Sequence, residues 1–142
     1  MNNIRKIVQD KIAFNNISKS SLPIKEIIHT DDKKLGLYHI KINEIIRIDY
    51  PISFKISTKH DVNNAVSMIY KKLGLKDKNY KWLIPYYNRS NWWIRIELLN
   101  VNILVDSIGV EFELTAIDIL NKFIFDISVD EYGAYEVRLI YL

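Results

Sequence analysis

The stretch that decides the fold is WWIRIEL at residues 92–98, where apolar and charged side chains alternate. Apolar residues occupy every second position from Ile94 to Leu98, and a period of two residues is typical of a strand with one buried face. The same register turns Trp92 toward the core. The opposite, solvated face then carries Trp93, Arg95 and Glu97.

Four further segments alternate in the same way and predict more strands. They are residues 38–48, 52–56, 108–114 and 135–141. Each has one apolar face, and the connections between several of them have the length of hairpins. These features favour a mainly antiparallel sheet.

Three segments repeat apolar residues at helical spacing, near residues 3–18, 59–73 and 116–127. In the first segment the stripe consists of Ile4, Ile7, Val8 and Ile12. This spacing places the apolar side chains on one side of each helix.

Local signals mark the ends of the second and third predicted helices. Thr58 and Asp61 form a capping-box pair before the second helix, and Gly74 suits its end. Thr115 and Asp118 make a similar pair before the third helix. The sequence therefore predicts an α+β fold, with a single mainly antiparallel sheet and about three helices packed on one face.

The chain has 142 residues and no linker-like or repeated segment, so we expect one domain spanning residues 1–142. It has no cysteine, which fits a reducing compartment. We find no apolar run of the length that a signal peptide or a membrane span requires. We expect a cytoplasmic protein without a membrane partner.

The charge is unevenly divided along the chain. Residues 1–81 contain 16 basic and 8 acidic residues, a net +8, while residues 82–142 contain 4 basic and 9 acidic residues, a net −5. This asymmetry predicts two electrostatically different surfaces and therefore charged partners.

Motifs for common chemistries are absent. Four isolated glycines exclude the P-loop and the dinucleotide-binding fingerprint. A small enzyme or a metal site would have to use a His/Asp set without ligand spacing on one element. That set consists of His29, Asp31, Asp32, His39, His60 and Asp61. The competing interpretation is a solvated turn and a helix start, and we expect neither catalysis nor a cofactor.

A basic run leads into aromatic residues and suggests a second alternative, a nucleic-acid-binding module. Its cations include Lys71, Lys72, Lys76, Lys78 and Lys81, and its aromatics are Tyr80, Trp82, Tyr86 and Tyr87. Cations can hold phosphates and aromatic rings can stack on bases. The competing interpretation is a solvated helix end followed by core aromatics.

The surface that we favour lies around the outward face of residues 92–98. If the next strand is its neighbour, the carboxylates of that strand approach Trp93. An exposed tryptophan beside arginine and carboxylates has the composition of a binding hot spot. The predicted partner-binding residues are Trp93, Arg95, Glu97, Glu111, Glu113 and Tyr87.

These observations favour a non-enzymatic protein that binds another protein. The specific version is an immunity or antitoxin type of inhibitor that neutralises a basic, nuclease-like toxin. The nucleic-acid-binding module and the small His/Asp enzyme remain as alternatives.

Overall fold

The computed structural model describes residues 2–57, 62–75, 79–99 and 113–142. Within these residues, seven strands form one sheet, in which all pairs of neighbouring strands are antiparallel. The strand order is β1-β4-β3-β5-β6-β7-β2. The strands are β1 (Ile24–His29), β2 (Phe54–Ile56), β3 (Tyr80–Ile84), β4 (Trp92–Leu98), β5 (Leu114–Asp118), β6 (Phe123–Val129) and β7 (Tyr135–Tyr141).

Three α-helices cover the sheet on its two faces. They are α1 (Asn2–Ser18), α2 (Gly36–Ile45) and α3 (Val62–Lys72). The larger core lies between one face and helices α1 and α3. A smaller core lies on the other face, where α2 and the short 3-10 turn before it pack against Trp93 and its neighbours. Both faces of the central strands are therefore buried.

The predicted α+β class and the antiparallel sheet are confirmed. The helices predicted near residues 3–18 and 59–73 are α1 and α3, and strands are present within 92–98, 52–56 and 135–141. The prediction that all helices pack on one face is wrong, because α2 covers the opposite face. Strand β1 was not predicted. Most of the predicted strand at 108–114 and the pair Thr58 and Asp61 lie outside the described residues.

The predicted strand at 38–48 is wrong, since most of this segment forms helix α2. Its isoleucines satisfy both periods, because Ile42 and Ile45 are three residues apart while Ile40 and Ile42 are two apart. The helix buries Ile42 and Ile45 and leaves Ile40 and Ile46 exposed. The segment is helical because the helix lets Ile42 and Ile45 pack together in the smaller core on the second face of the sheet.

The predicted helix at 116–127 is also wrong, because strands β5 and β6 form a hairpin there. The supposed capping pair serves the sheet instead. Thr115 Oγ1 donates to Asp126 Oδ1 on the neighbouring strand (2.6 Å). Asp118 is buried, and its Oδ1 accepts from the backbone N–H of Asn121 in the β5–β6 turn (2.7 Å).

Candidate binding cleft

Trp93 is 0% exposed, so the prediction that it lies on an open charged face is wrong. The predicted register is correct, since Trp92 shares the face of Ile94 and Ile96, and Trp93 points the other way. Helix α2 covers that other face. The Trp93 ring lies 4.8 Å from the His39 ring and 5.7 Å from the Tyr86 ring, measured between centroids. Trp93 therefore supports a wall of buried and half-buried rings.

A cleft of about 870 Å³ opens beside this wall. One side is the end of α2 and the residues that follow it, and the other side is the turn between β3 and β4. The floor comes from β5, β6 and β7. Its lining includes Ile46, Arg47, Ile48, Pro85, Tyr86, Tyr87, Arg89, Glu113, Thr115, Asp126, Ser128 and Arg138. This volume is within the range of binding pockets for small molecules or for a few side chains of a partner.

The turn on the cleft rim has an unusual backbone. Tyr86, Asn88 and Arg89 all have positive φ, at 49°, 53° and 57°. Residues other than glycine rarely adopt this left-handed region, and such residues concentrate at binding and catalytic sites. The conformation turns the Tyr86 and Arg89 side chains out at the rim, where both are exposed.

A row of polar side chains crosses the cleft floor on three adjacent strands. Thr115 lies opposite Asp126, and Asp126 lies opposite Arg138. Arg138 donates from Nη1 to Ser128 Oγ (3.3 Å) and from Nε to the Tyr50 carbonyl oxygen (3.3 Å). It also pairs with Glu136 at 3.4 Å. The cation of Arg138 is therefore already engaged within the fold.

Asp126 is the least satisfied charge in this row. Burial raises the pKa of its carboxyl above the ordinary value, although the Thr115 hydrogen bond and the nearby Arg138 act in the opposite direction. Glu113, on the cleft rim, adds to the rise in pKa by repulsion. Among the described groups, only Thr115 donates a hydrogen bond to this carboxylate. A cationic group entering the cleft would relieve the cost of keeping it ionised.

The predicted interface residues are divided between two places. Tyr87 and Glu113 line the cleft. Arg95 and Glu97 lie toward the β1 edge, where Arg95 pairs with Glu26 at 3.5 Å and with Glu97 at 3.7 Å. Lys34 also pairs with Glu26 at 2.9 Å, and this contact lowers the pKa of Glu26. Glu111 lies outside the described residues.

The histidines of the enzyme alternative have structural partners. Nε2 of His29 contacts Asp10 Oδ2 at 2.9 Å, and its Nδ1 accepts from the Asp31 N–H at 3.2 Å. The contact between His29 and Asp10 lowers the pKa of the Asp10 carboxyl and attaches α1 to β1. Because both ring nitrogens of His29 are engaged, the ring offers no nitrogen to a substrate in this arrangement.

The second histidine, His39, joins helix α2 to the cleft rim. Its Nε2 lies 2.6 Å from the Thr30 carbonyl oxygen, and its Nδ1 lies 3.3 Å from Tyr86 Oη. Asp32 caps the 3-10 turn by accepting from Lys34 N at 3.0 Å. Among the described residues, no three His, Asp or Glu side chains are grouped to hold a metal. His60 and Asp61 lie outside the described part of the chain.

Several aromatic residues of the nucleic-acid alternative are buried and cannot stack on bases. Tyr80 and Trp82 are buried in the larger core, so their faces cannot receive bases. Lys72 lies over the Phe54 ring at 4.7 Å, and Lys81 is exposed opposite Glu97. Lys76 and Lys78 fall in a segment that the structure leaves undescribed.

Most residues of the cleft could not be predicted from the sequence. Thr115, Asp126 and Arg138 stand in three separate segments, and only the pairing of β5, β6 and β7 brings them together. The polar residues 88–91, directly after Tyr86 and Tyr87, are the local sequence signal for the cleft rim.

Comparisons with protein-family models, with curated proteins and with solved structures find no match for this chain. None of the described helices is long and apolar enough to cross a bilayer.

Proposed function

We propose that this chain is a non-enzymatic protein-binding module that receives a segment of a partner protein in the cleft. The specific version is an inhibitor of the immunity or antitoxin type, directed at a basic toxin. The observation that carries the proposal is the cleft itself, about 870 Å³ with an aromatic and arginine rim and a half-buried carboxylate on its floor.

The composition of the rim supports a protein partner. Tyrosine and arginine are enriched at the centres of protein interfaces, where they supply large contact areas. Tyr86 and Arg89 are exposed on one side of the cleft. On the other side, Ile46 and Ile48 leave their apolar side chains exposed to solvent. Covering these isoleucines would remove apolar surface from water on binding.

The charges within the cleft support a basic partner. Two of the three lining arginines have partners in the fold, because Arg47 pairs with Asp49 at 3.3 Å and Arg138 pairs with Glu136. Asp126 and Glu113 remain as carboxylates without an ion pair among the described residues. A lysine or arginine side chain of the partner would complete the row on the cleft floor.

We expect substitutions at the cleft rim to weaken the binding of the partner. To test this, the chain would be co-expressed with the protein that the adjacent gene encodes. Size-exclusion chromatography and calorimetry would then measure complex formation and affinity. Arg89→Ala and Ile48→Asp should each weaken binding about 30-fold or more, as expected for residues at the centre of an interface. The fold should be unaffected because both side chains are exposed.

Ile40→Asp is the matched control, since Ile40 is also an exposed isoleucine, on α2, but does not line the cleft. It should leave the affinity within about twofold of the unmodified protein. A complex that ignores both rim substitutions would rule out the cleft as the interface. Absence of any complex with a basic neighbour would overturn the inhibitor version.

A further inference from the structure

Helix α1 has apolar side chains packed on the sheet toward its C-terminal end and an exposed apolar stripe nearer its N-terminal end. Its inner side is attached to the sheet: Phe14 packs edge-on against Trp92, with 5.0 Å between ring centroids, and Ile17 is buried in the larger core. The outer side holds the stripe identified in the sequence. The exposed fractions of the stripe are 70% for Ile4, 54% for Ile7, 49% for Val8 and 55% for Ile12.

The exposed charges of helix α1 are all positive. Arg5, Lys6 and Lys11 are exposed on the helix. The one carboxylate of α1 is Asp10, and it faces the sheet, where it contacts His29 at 2.9 Å and accepts from Asn91 at 3.0 Å. The outer side of α1 therefore presents aliphatic side chains with Lys11 among them and Arg5 at their edge, without a competing carboxylate on that helix.

We propose that the outer side of α1 rests on an anionic lipid surface. The isoleucines would enter the boundary between headgroups and acyl chains, while Arg5 and Lys11 reach the lipid phosphates. A helix lying in the interface plane needs neither a signal peptide nor a spanning segment. This inference is independent of the cleft and of its protein partner.

Charge and area both argue against a second copy of this chain as the occupant. Pairing two α1 helices through their stripes would bring the cations of both copies to the same seam. Four half-exposed aliphatic side chains per copy also bury less than the roughly 1,000 Å² that a stable protein interface requires. A lipid surface needs no such area, because the electrostatic attraction of the cations adds to a modest apolar contact.

The shape of the surface favours lipid over an acidic protein. The stripe is the convex outside of a helix, so a protein partner would have to supply a matching groove. The stripe holds only aliphatic side chains over about 12 Å of helix, from Ile4 to Ile12. A bilayer interface accepts a short convex stripe as it is.

The experiment uses the full chain with phosphatidylcholine vesicles, with and without about a quarter of phosphatidylglycerol. Flotation should recover the protein with the anionic vesicles only, and high salt should release it. Trp92 lies against α1, since its Nε1 donates to the Asp10 carbonyl oxygen at 2.9 Å, so its fluorescence provides a second readout.

Ile4→Glu combined with Val8→Glu should lower vesicle binding at least about tenfold while the melting temperature stays the same. Arg5→Gln combined with Lys11→Gln should remove the salt dependence. Leu37→Glu is the matched control, because Leu37 is 59% exposed on α2 across the sheet, and it should bind like the unmodified protein.

Two results would overturn this inference. One is the absence of binding to anionic vesicles at low salt. The other is a concentration-dependent dimer, seen by analytical ultracentrifugation, that the paired glutamates dissolve, since a second copy would then be the occupant of the stripe.

Discussion

Trp93 fills the space between the sheet and helix α2, and among the described groups its indole N–H has no hydrogen-bond partner. Trp93→Ala should destabilise the protein by about 3 to 5 kcal/mol, because it leaves a large cavity under α2. Chemical denaturation monitored by circular dichroism measures this change. An unaltered stability would mean that the ring is not buried in solution.

Trp93→Phe is the control for this prediction. It keeps an aromatic ring against His39 and Tyr86 and removes the indole N–H that lacks a partner. We expect the loss to stay below about 1.5 kcal/mol, as for other replacements that conserve most of the volume. Binding to the cleft should also weaken more for the alanine than for the phenylalanine, because the ring supports Tyr86.

Asp126 should make stability depend on pH in a direction opposite to most carboxyls. Its pKa is raised in the fold, so its favourable contribution is complete below the ordinary Asp range and is lost as pH rises through the raised pKa. Asp126→Asn should therefore raise the melting temperature at neutral pH. The amide oxygen can still accept from Thr115.

The gain from Asp126→Asn should shrink as the pH falls and disappear below the ordinary Asp range, where the carboxyl of the unmodified protein is protonated in both the folded and the unfolded state. Melting curves over this pH range test the prediction. A loss of stability at neutral pH would show that the ionised carboxylate is satisfied in the fold.

At the scale of elements, helix α2 can be distinguished from the strand that alternation predicted. A strand would place Ile40 and Ile42 on the same face, whereas the helix exposes Ile40 and buries Ile42. Ile42→Ala should cost about 2 to 5 kcal/mol, and Ile40→Ala should stay within about 0.5 kcal/mol. Equal losses at both positions, measured by urea unfolding, would contradict the helix.

The elements that the sequence predicted correctly are those whose signals are local. Helix α3 has its buried stripe, including Val62, Val66 and Ile69, and terminates just before Gly74, which has φ of 68°. Strand β4 has strict alternation. In both cases the periodicity is compatible with only one type of secondary structure, so tertiary contacts are not needed to decide between helix and strand.

The elements that failed had signals compatible with two structures. Residues 116–127 combine a helical spacing with the β-branched and aromatic run of β6, and the partner strands β5 and β7 settle the choice. The prediction that Trp93 is exposed was wrong for a related reason. Alternation gives the face of a side chain, but only the position of α2 reveals that this face is covered.

At the scale of the whole molecule, the division of charge has a different meaning from the one that the sequence suggested. Several acidic residues of the second part, unlike Asp126 and Glu113 in the cleft, are engaged within the fold: Asp130 pairs with Lys55 at 3.5 Å, and Glu136 pairs with Arg138 at 3.4 Å. Asp118 is buried and accepts from Tyr70 Oη. The cations of α1, in contrast, face solvent. The two parts differ in how much of their charge is available to partners.

Strand β2 pairs with β7, and Phe54 lies opposite Val137, although the two residues are far apart in the chain. At a synthesis rate of roughly 5 to 20 residues per second, β7 is therefore completed on the order of 4 to 16 seconds after β2. Over this interval residues 54–56 lack the strand with which they pair in the folded protein. Ribosome-bound chains arrested before β7 should be cut by protease near residues 54–56, while the released protein resists cleavage there.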